Sequence, residues 1–191
     1  ITLEDGNRIK TLLGTEPVIA DMFRETGPER DGGLDSSVVA HEWGHYLHNR
    51  LVTVGTQQSR AQGEGWGDFV GVHLGMSDGD DLRGTYAIAQ YAGASIGDSG
   101  YYGIRRVPYS VDLTRNALTF RHIQDGEPLP TTTPMVNGGS ANSEVHNAGE
   151  VWAATLWDGY VALIDAHDYD TARRAMSDYV VAGLLLAPPD G

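Results

Sequence analysis

The stretch DSSVVAHEWGHYLHNRLV, residues 35–52, constrains this chain more than any other. It sets two histidines four apart, with a glutamate beside the first. On an α-helix, residues four apart share one face, one turn above the other. The spacing predicts a helix that starts with Asp35 or Ser36 as N-cap and runs to about Leu51. Val38, Val39, Glu42, His45 and Tyr46 then fall near one side of it. His41 and His45 can aim two imidazoles at one point, which is how a helix supplies half of a tetrahedral zinc site. Glu42 is rotated from His41 by about 100°, given ~3.6 residues per turn. It lies too far round to be an equivalent ligand, yet close enough to reach a water on the metal. H-E-x-x-H on a helix is a recurrent metalloprotease pattern in which the Glu is the general base.

A zinc site needs a third protein ligand. One class continues as H-E-x-x-H-x-x-G-x-x-H; here His48 stands at the Gly position and Leu51 at the last His position, which disfavours it. The other option is a Glu on a following helix, and QGEGWGDFVG supplies Glu64. Asp68 lies four residues further on, one helical turn away. From there it can hold the free ring nitrogen of His41 or His45, fixing tautomer and orientation; its alternative is a solvated helix face.

The chain has no cysteine among its 191 residues. Thiolate sites and disulfides are excluded, so any metal must use His and carboxylates. With 26 acidic against 13 basic residues the formal charge is −13. That balance argues against nucleic acid and anionic membranes, which need basic patches. It reads as solubility first, and as bound cations such as Ca2+ second. Asp78, Asp80 and Asp81 in MSDGDDLRG lack the full calcium-loop pattern. No apolar run approaches the roughly 20 residues of a membrane span. The start at Ile1 and the stop at APPDG read as a piece of something longer.

Residues 1–34 are mixed, with turn signals at DGN and TGPERDGG and little periodicity. GTQQSRAQG reads as a polar loop, followed by a second helix over about Glu64 to Leu74. Residues 77–143, rich in Gly, Asp, Pro and Tyr, read as long loops with short elements. Helical spacing returns over Ala148 to Ile164. A last helix covers about Thr171 to Leu186, ended by Pro188 and Pro189. Trp66 and Trp152 are expected to pack helices together.

H-E-x-x-H followed by G-E-G-W-x-D-F resembles the fungalysin family of zinc metallopeptidases, relatives of thermolysin. YGIRRVPYSVDLTRNALTF (102–120) is similar to that family's Gly-Ile-Arg segment, and EVHNAGEVWAATLWD (144–158) to its V-H-x-x-G-E-x-W-A helix. The matches run from about residue 34 to the C-terminus. The resemblance implies that His41, His45 and Glu64 are zinc ligands and that Glu42 polarises the metal-bound water. It makes His146 the donor to the tetrahedral oxyanion and Arg105 a binder of a substrate carbonyl. It implies an α+β fold, predominantly α in this chain: a thermolysin-like zincin with an active-site helix and a helical C-terminal lobe. Residues 1–34 are then a remnant of the N-terminal lobe or a linker, and 35–191 the catalytic domain. Secretion, a protein or peptide substrate, and a propeptide or the missing N-terminal lobe as partner follow from the same resemblance.

The chain departs from that pattern in places. The thermolysin relatives place a Tyr between the second His and the Glu, and residues 49–63 contain none; Tyr101, Tyr102 or Tyr109 are substitutes. An Asp five residues before the oxyanion histidine is here Ala141, with Asn142 or Glu144 the nearest polar alternatives. Gly63 leaves no side chain to orient His45. The β-rich lobe that carries the substrate edge strand has no visible motif. His48 reads as a neighbour of the site or a surface residue, and Glu150 as a buried hydrogen-bonding or packing residue. Two rivals follow: a non-catalytic module, which has no need of Glu42, and an exopeptidase, which needs a group to hold a substrate terminus.

Overall fold

Asp35 begins the histidine helix as expected: its Oδ1 accepts from Ser37 N at 3.1 Å, while Oδ2 accepts from the amides of Tyr91 and Ala92 at 3.0 Å each. One carboxylate thus satisfies orphan helix amides and ties the helix start to the middle of the chain. The computed structural model describes residues 3–15, 17, 28–95, 99–129 and 141–188. Over these the chain is mostly helical: α1 (Leu3–Leu13), α2 (Ser36–Leu51), α3 (Gln57–Gly75), the single turn α4 (Ser99–Tyr102), α5 (Val145–Ala166) and α6 (Tyr169–Leu186). The expected β component is reduced, among the described residues, to one antiparallel bridge between Tyr86 and Tyr109.

Three boundaries differ from the expectation. α1 forms where little periodicity is visible; Ile9, Leu12 and Leu13 on it remain exposed, so local propensity rather than burial accounts for it. α3 starts seven residues before Glu64, because Thr56 and Ser59 form a capping box and Gln57–Gly63 is helix, not loop. α5 starts at Val145, capped by Glu144, whose side chain accepts from the His146 and Asn147 amides. Thr26 and Gly27 of the TGPERDGG turn signal and the stretches 96–98 and 130–140 of the expected long loops lie outside the described residues.

Glycines set how closely the helices cross. A Cβ on Gly44 of α2 would lie 2.8 Å from Gly67 Cα of α3, and one on Gly67 would lie 2.7 Å from His41 Nδ1. One on Gly65 would lie 2.6 Å from the Gly149 carbonyl of α5, and one on Gly149 2.7 Å from Glu64 Cβ. α3 is therefore pressed between α2 and α5 at backbone contact. Gly65→Ala gains about 1 kcal/mol of helix propensity but must push backbone away, an overpacking cost typically near 1–3 kcal/mol. The expected net effect is a loss of up to about 2 kcal/mol in urea unfolding, and a higher midpoint would show that the crossing is not tight.

The core gathers where α3, α5 and α6 meet, around Phe69, Trp157, Tyr160, Val180 and Leu184. Trp66 and Trp152 pack edge to face at 5.4 Å between α3 and α5, as expected. The segment 104–110 threads under α2 and α3. It enters through Gly103, whose φ is +59° and whose Cβ would fall 2.0 Å from the Ile88 carbonyl, so only glycine fits. Among the described residues no helix is long and apolar enough to cross a membrane.

Candidate metal centre

α2 presents the His41 and His45 rings edge to face, 4.6 Å apart. α3 crosses below and brings Glu64 between them. Glu64 Oε2 lies 3.5 Å from His41 Nε2, and Oε1 lies 3.5 Å from His45 Nε2. Among the described residues, His41, His45 and Glu64 form the one group of three potential metal ligands whose donor atoms all lie within 4.8 Å of one another. Those gaps are too long for good hydrogen bonds. They match the roughly 3.3–3.6 Å edge of a tetrahedron with metal bonds of about 2.0–2.2 Å. Glu64 Oε2 is buried without a hydrogen-bond partner, and two imidazoles with one carboxylate suit zinc. The residues fit the metal.

Asp68 sits beneath this group, 1% exposed. Its Oδ1 is 2.7 Å from His41 Nδ1. A carboxylate only accepts, so Nδ1 carries a hydrogen, and in the neutral ring Nε2 points its lone pair at the ligand cluster. Arg105 donates to Asp68 from Nε at 2.6 Å and from Nη2 at 2.7 Å, and the Tyr109 hydroxyl donates to Oδ2. Burial opposes charge on Asp68, but the Arg105 guanidinium outweighs it and holds the carboxyl well below the usual range. Burial also opposes charge on His41; the hydrogen bond to Asp68 and the nearby Glu64 carboxylate overcome it and raise its pKa to about 9. Glu64 is likewise held low, against burial, by His41 and His45.

His146 stands on the first turn of α5. Its Nδ1 is 2.7 Å from Glu144 Oε1, and its Nε2 is 3.4 Å from Glu64 Oε2. The orienting acid is thus Glu144, two residues before the histidine, where Ala141 leaves a gap. Glu42 is exposed and has no partner among the described residues. Glu42, His41, Arg105 and His146 line one cleft of about 150 Å³ together with Val38, Ile88 and Ile104.

Other sequence candidates fall elsewhere. Tyr109 is spent on Asp68, so it cannot reach an oxyanion. Tyr101 and Tyr102 pack edge to face at 4.7 Å on α4 and do not line the cleft. His48 is buried against Gly63, in the space a side chain there would fill, and burial lowers its pKa. Glu150 is buried in an ion pair with Arg106 at 2.6 Å. Asp80 and Asp81 accept turn amides from Ser77 and Arg83. The support from Tyr109 and Arg106 escaped sequence reasoning; the available signal was the dense RRVPY run, whose residues are all buried.

The sequence model of the fungalysin metallopeptidases matches residues 11–185. Extracellular metalloproteinase mep of Aspergillus terreus is 30% identical over 160 residues, 80% of this chain and 22% of the relative. Extracellular metalloproteinase 2 of Arthroderma gypseum is 33% identical over 171 residues, 86% of this chain and 23% of the relative. Extracellular metalloproteinase 9 of Uncinocarpus reesii is 33% identical over 159 residues, 80% and 22%. The chain spans less than a quarter of the length of these relatives.

Proposed function

The chain belongs to the fungalysin metallopeptidase family, and on that premise we propose that residues 35–191 are the catalytic lobe of a secreted zinc endopeptidase of thermolysin-like design. The observation that carries this is the grouping of His41, His45 and Glu64, with His41 lining the same cleft as Glu42 and His146. His41, His45 and Glu64 hold the metal. The chemistry a zinc ion would supply there is Lewis acidity toward a scissile carbonyl and a water. Glu42 takes the proton from that water and passes it to the leaving amine. His146, oriented by Glu144, donates from Nε2 to the oxygen that gains negative charge. Arg105 keeps one donor in hand: its Nη1 is buried and unpartnered, suited to a substrate carbonyl at the cleft. Val38, Ile88 and Ile104 give the same cleft an apolar wall beside its polar residues, suited to an apolar substrate side chain. Residues 1–34 are a remnant of a preceding lobe or a linker. Unfolded or flexible protein is the substrate class.

Three results test this reading. Zinc should bind at one per chain. The raised pKa of His41 means that zinc competes with a proton there, so affinity should rise with pH. His41→Ala should bind zinc far more weakly, and a variant that holds one zinc as tightly as the parent would remove His41 from the ligand set. His146→Ala should lower kcat by roughly 100- to 1,000-fold with metal content unchanged; an unaltered kcat would return His146 to a structural role. Internal fragments from casein, rather than single amino acids, separate this reading from an exopeptidase.

A further inference from the structure

The two arginines of the 104–110 segment divide their work. Arg105 grips Asp68 under the histidine helix. Arg106, 1% exposed, turns the other way and spends its whole side chain on the approach to α5. Its Nε donates to Glu150 Oε2 at 2.6 Å, Nη1 to Asn142 Oδ1 at 2.9 Å and Nη2 to the Asn147 carbonyl at 2.6 Å, while its backbone amide donates to Glu150 Oε1 at 2.7 Å. Asn142 in turn donates to the carbonyls of Gln124 and Glu127 at 2.9 and 2.8 Å. Asn147 Nδ2 closes the loop on the Ala141 carbonyl at 2.8 Å. Residues 141–147, which carry Glu144 and His146, are held at both ends by this one guanidinium.

We propose that Arg106 is the positioning residue for His146. Consecutive side chains, Arg105 and Arg106, brace the metal side and the His146 side from one short buried segment. The separation of the ligands from His146 Nε2 is then set by a single peptide unit instead of by the crossing of α3 and α5 alone. A displacement of about 1 Å at a reacting group can cost on the order of 100-fold in rate, so a brace at this point acts on turnover and not on substrate affinity. The inference rests on the reading of His146 given above.

The test compares the parent chain with Arg106→Lys, which keeps the charge but loses the fork, and with Asn142→Ala, a milder cut that leaves the Arg106–Glu150 pair in place. Amide hydrogen exchange at residues 141–148 should accelerate about tenfold or more in both, with α6 unchanged; a merely global loosening moves both regions together. With zinc bound, kcat on a peptide should fall roughly ten- to hundredfold with KM within about twofold. In a His146→Ala background the same substitutions should cost nothing further. Unchanged or uniformly faster exchange in both variants overturns the proposal, as does an equal loss of kcat in the His146→Ala background. If exchange rises locally while His146→Ala leaves kcat intact, the role of His146 fails and the brace fails with it as a catalytic device.

Discussion

Glu42→Gln is expected to bind zinc as the parent does and to cut unfolded casein about 100- to 10,000-fold more slowly, the usual worth of a placed general base. Gln has nearly the same volume and shape, so packing is unaltered; it has no charge and cannot take a proton. Metal binding should persist because Glu42 is not among the three grouped ligands. Its exposure and its lack of a partner among the described residues mean that nothing structural is broken by the change. The measurement is a paired cleavage assay with metal analysis of both proteins. Near-parental cleavage by the variant would remove Glu42 as the base, and loss of the metal would show that its carboxylate belongs to the ligand set.

Asp68→Asn should have the largest effect on stability. Asp68 accepts from His41, from two nitrogens of Arg105 and from Tyr109. Asn offers one acceptor oxygen and no charge, so the buried Arg105 guanidinium loses its counter-ion. Breaking a buried pair on one side costs about 3–5 kcal/mol, which for a chain of this size lowers Tm by roughly 6–20 °C. Zinc affinity should fall roughly 10- to 100-fold, because His41 loses the group that fixes its tautomer. The pH dependence follows in sign. The folded carboxyl sits below its unfolded value of 3.8, so its contribution is fully present above about pH 4 and is lost as pH falls further. Thermal melts of parent and variant should therefore converge in acid. A variant that melts with the parent at pH 7 would show that the Arg105 pair is not held by Asp68.

How far the sequence reached depends on whether each partner is close in sequence. The spacing in HEWGH dictated a shared helical face, and Asp35 dictated where that helix begins; both follow from rules that act within one or two turns. Glu64 and Asp68, one turn apart, were legible for the same reason. α3 reaches back to Gln57 because the polar run GTQQSRAQG holds the Thr56–Ser59 capping box, and the missing side chain of Gly63 makes room for His48.

Beyond that reach, tertiary packing decided. Which histidine Asp68 would hold depended on the crossing of α2 and α3 at Gly44 and Gly67. That Glu144 would replace the missing acid at Ala141 depended on how α5 is capped. Tyr109 was open to an oxyanion role until the 104–110 segment buried its hydroxyl on Asp68. The sequence by itself determined that His41 and His45 form one candidate metal-binding pair, since donor type and helical period act locally. Only the three-dimensional packing decided which buried groups brace it, because hydrogen-bond partners 37 to 44 residues apart are chosen by where helices cross and not by any pattern along the chain.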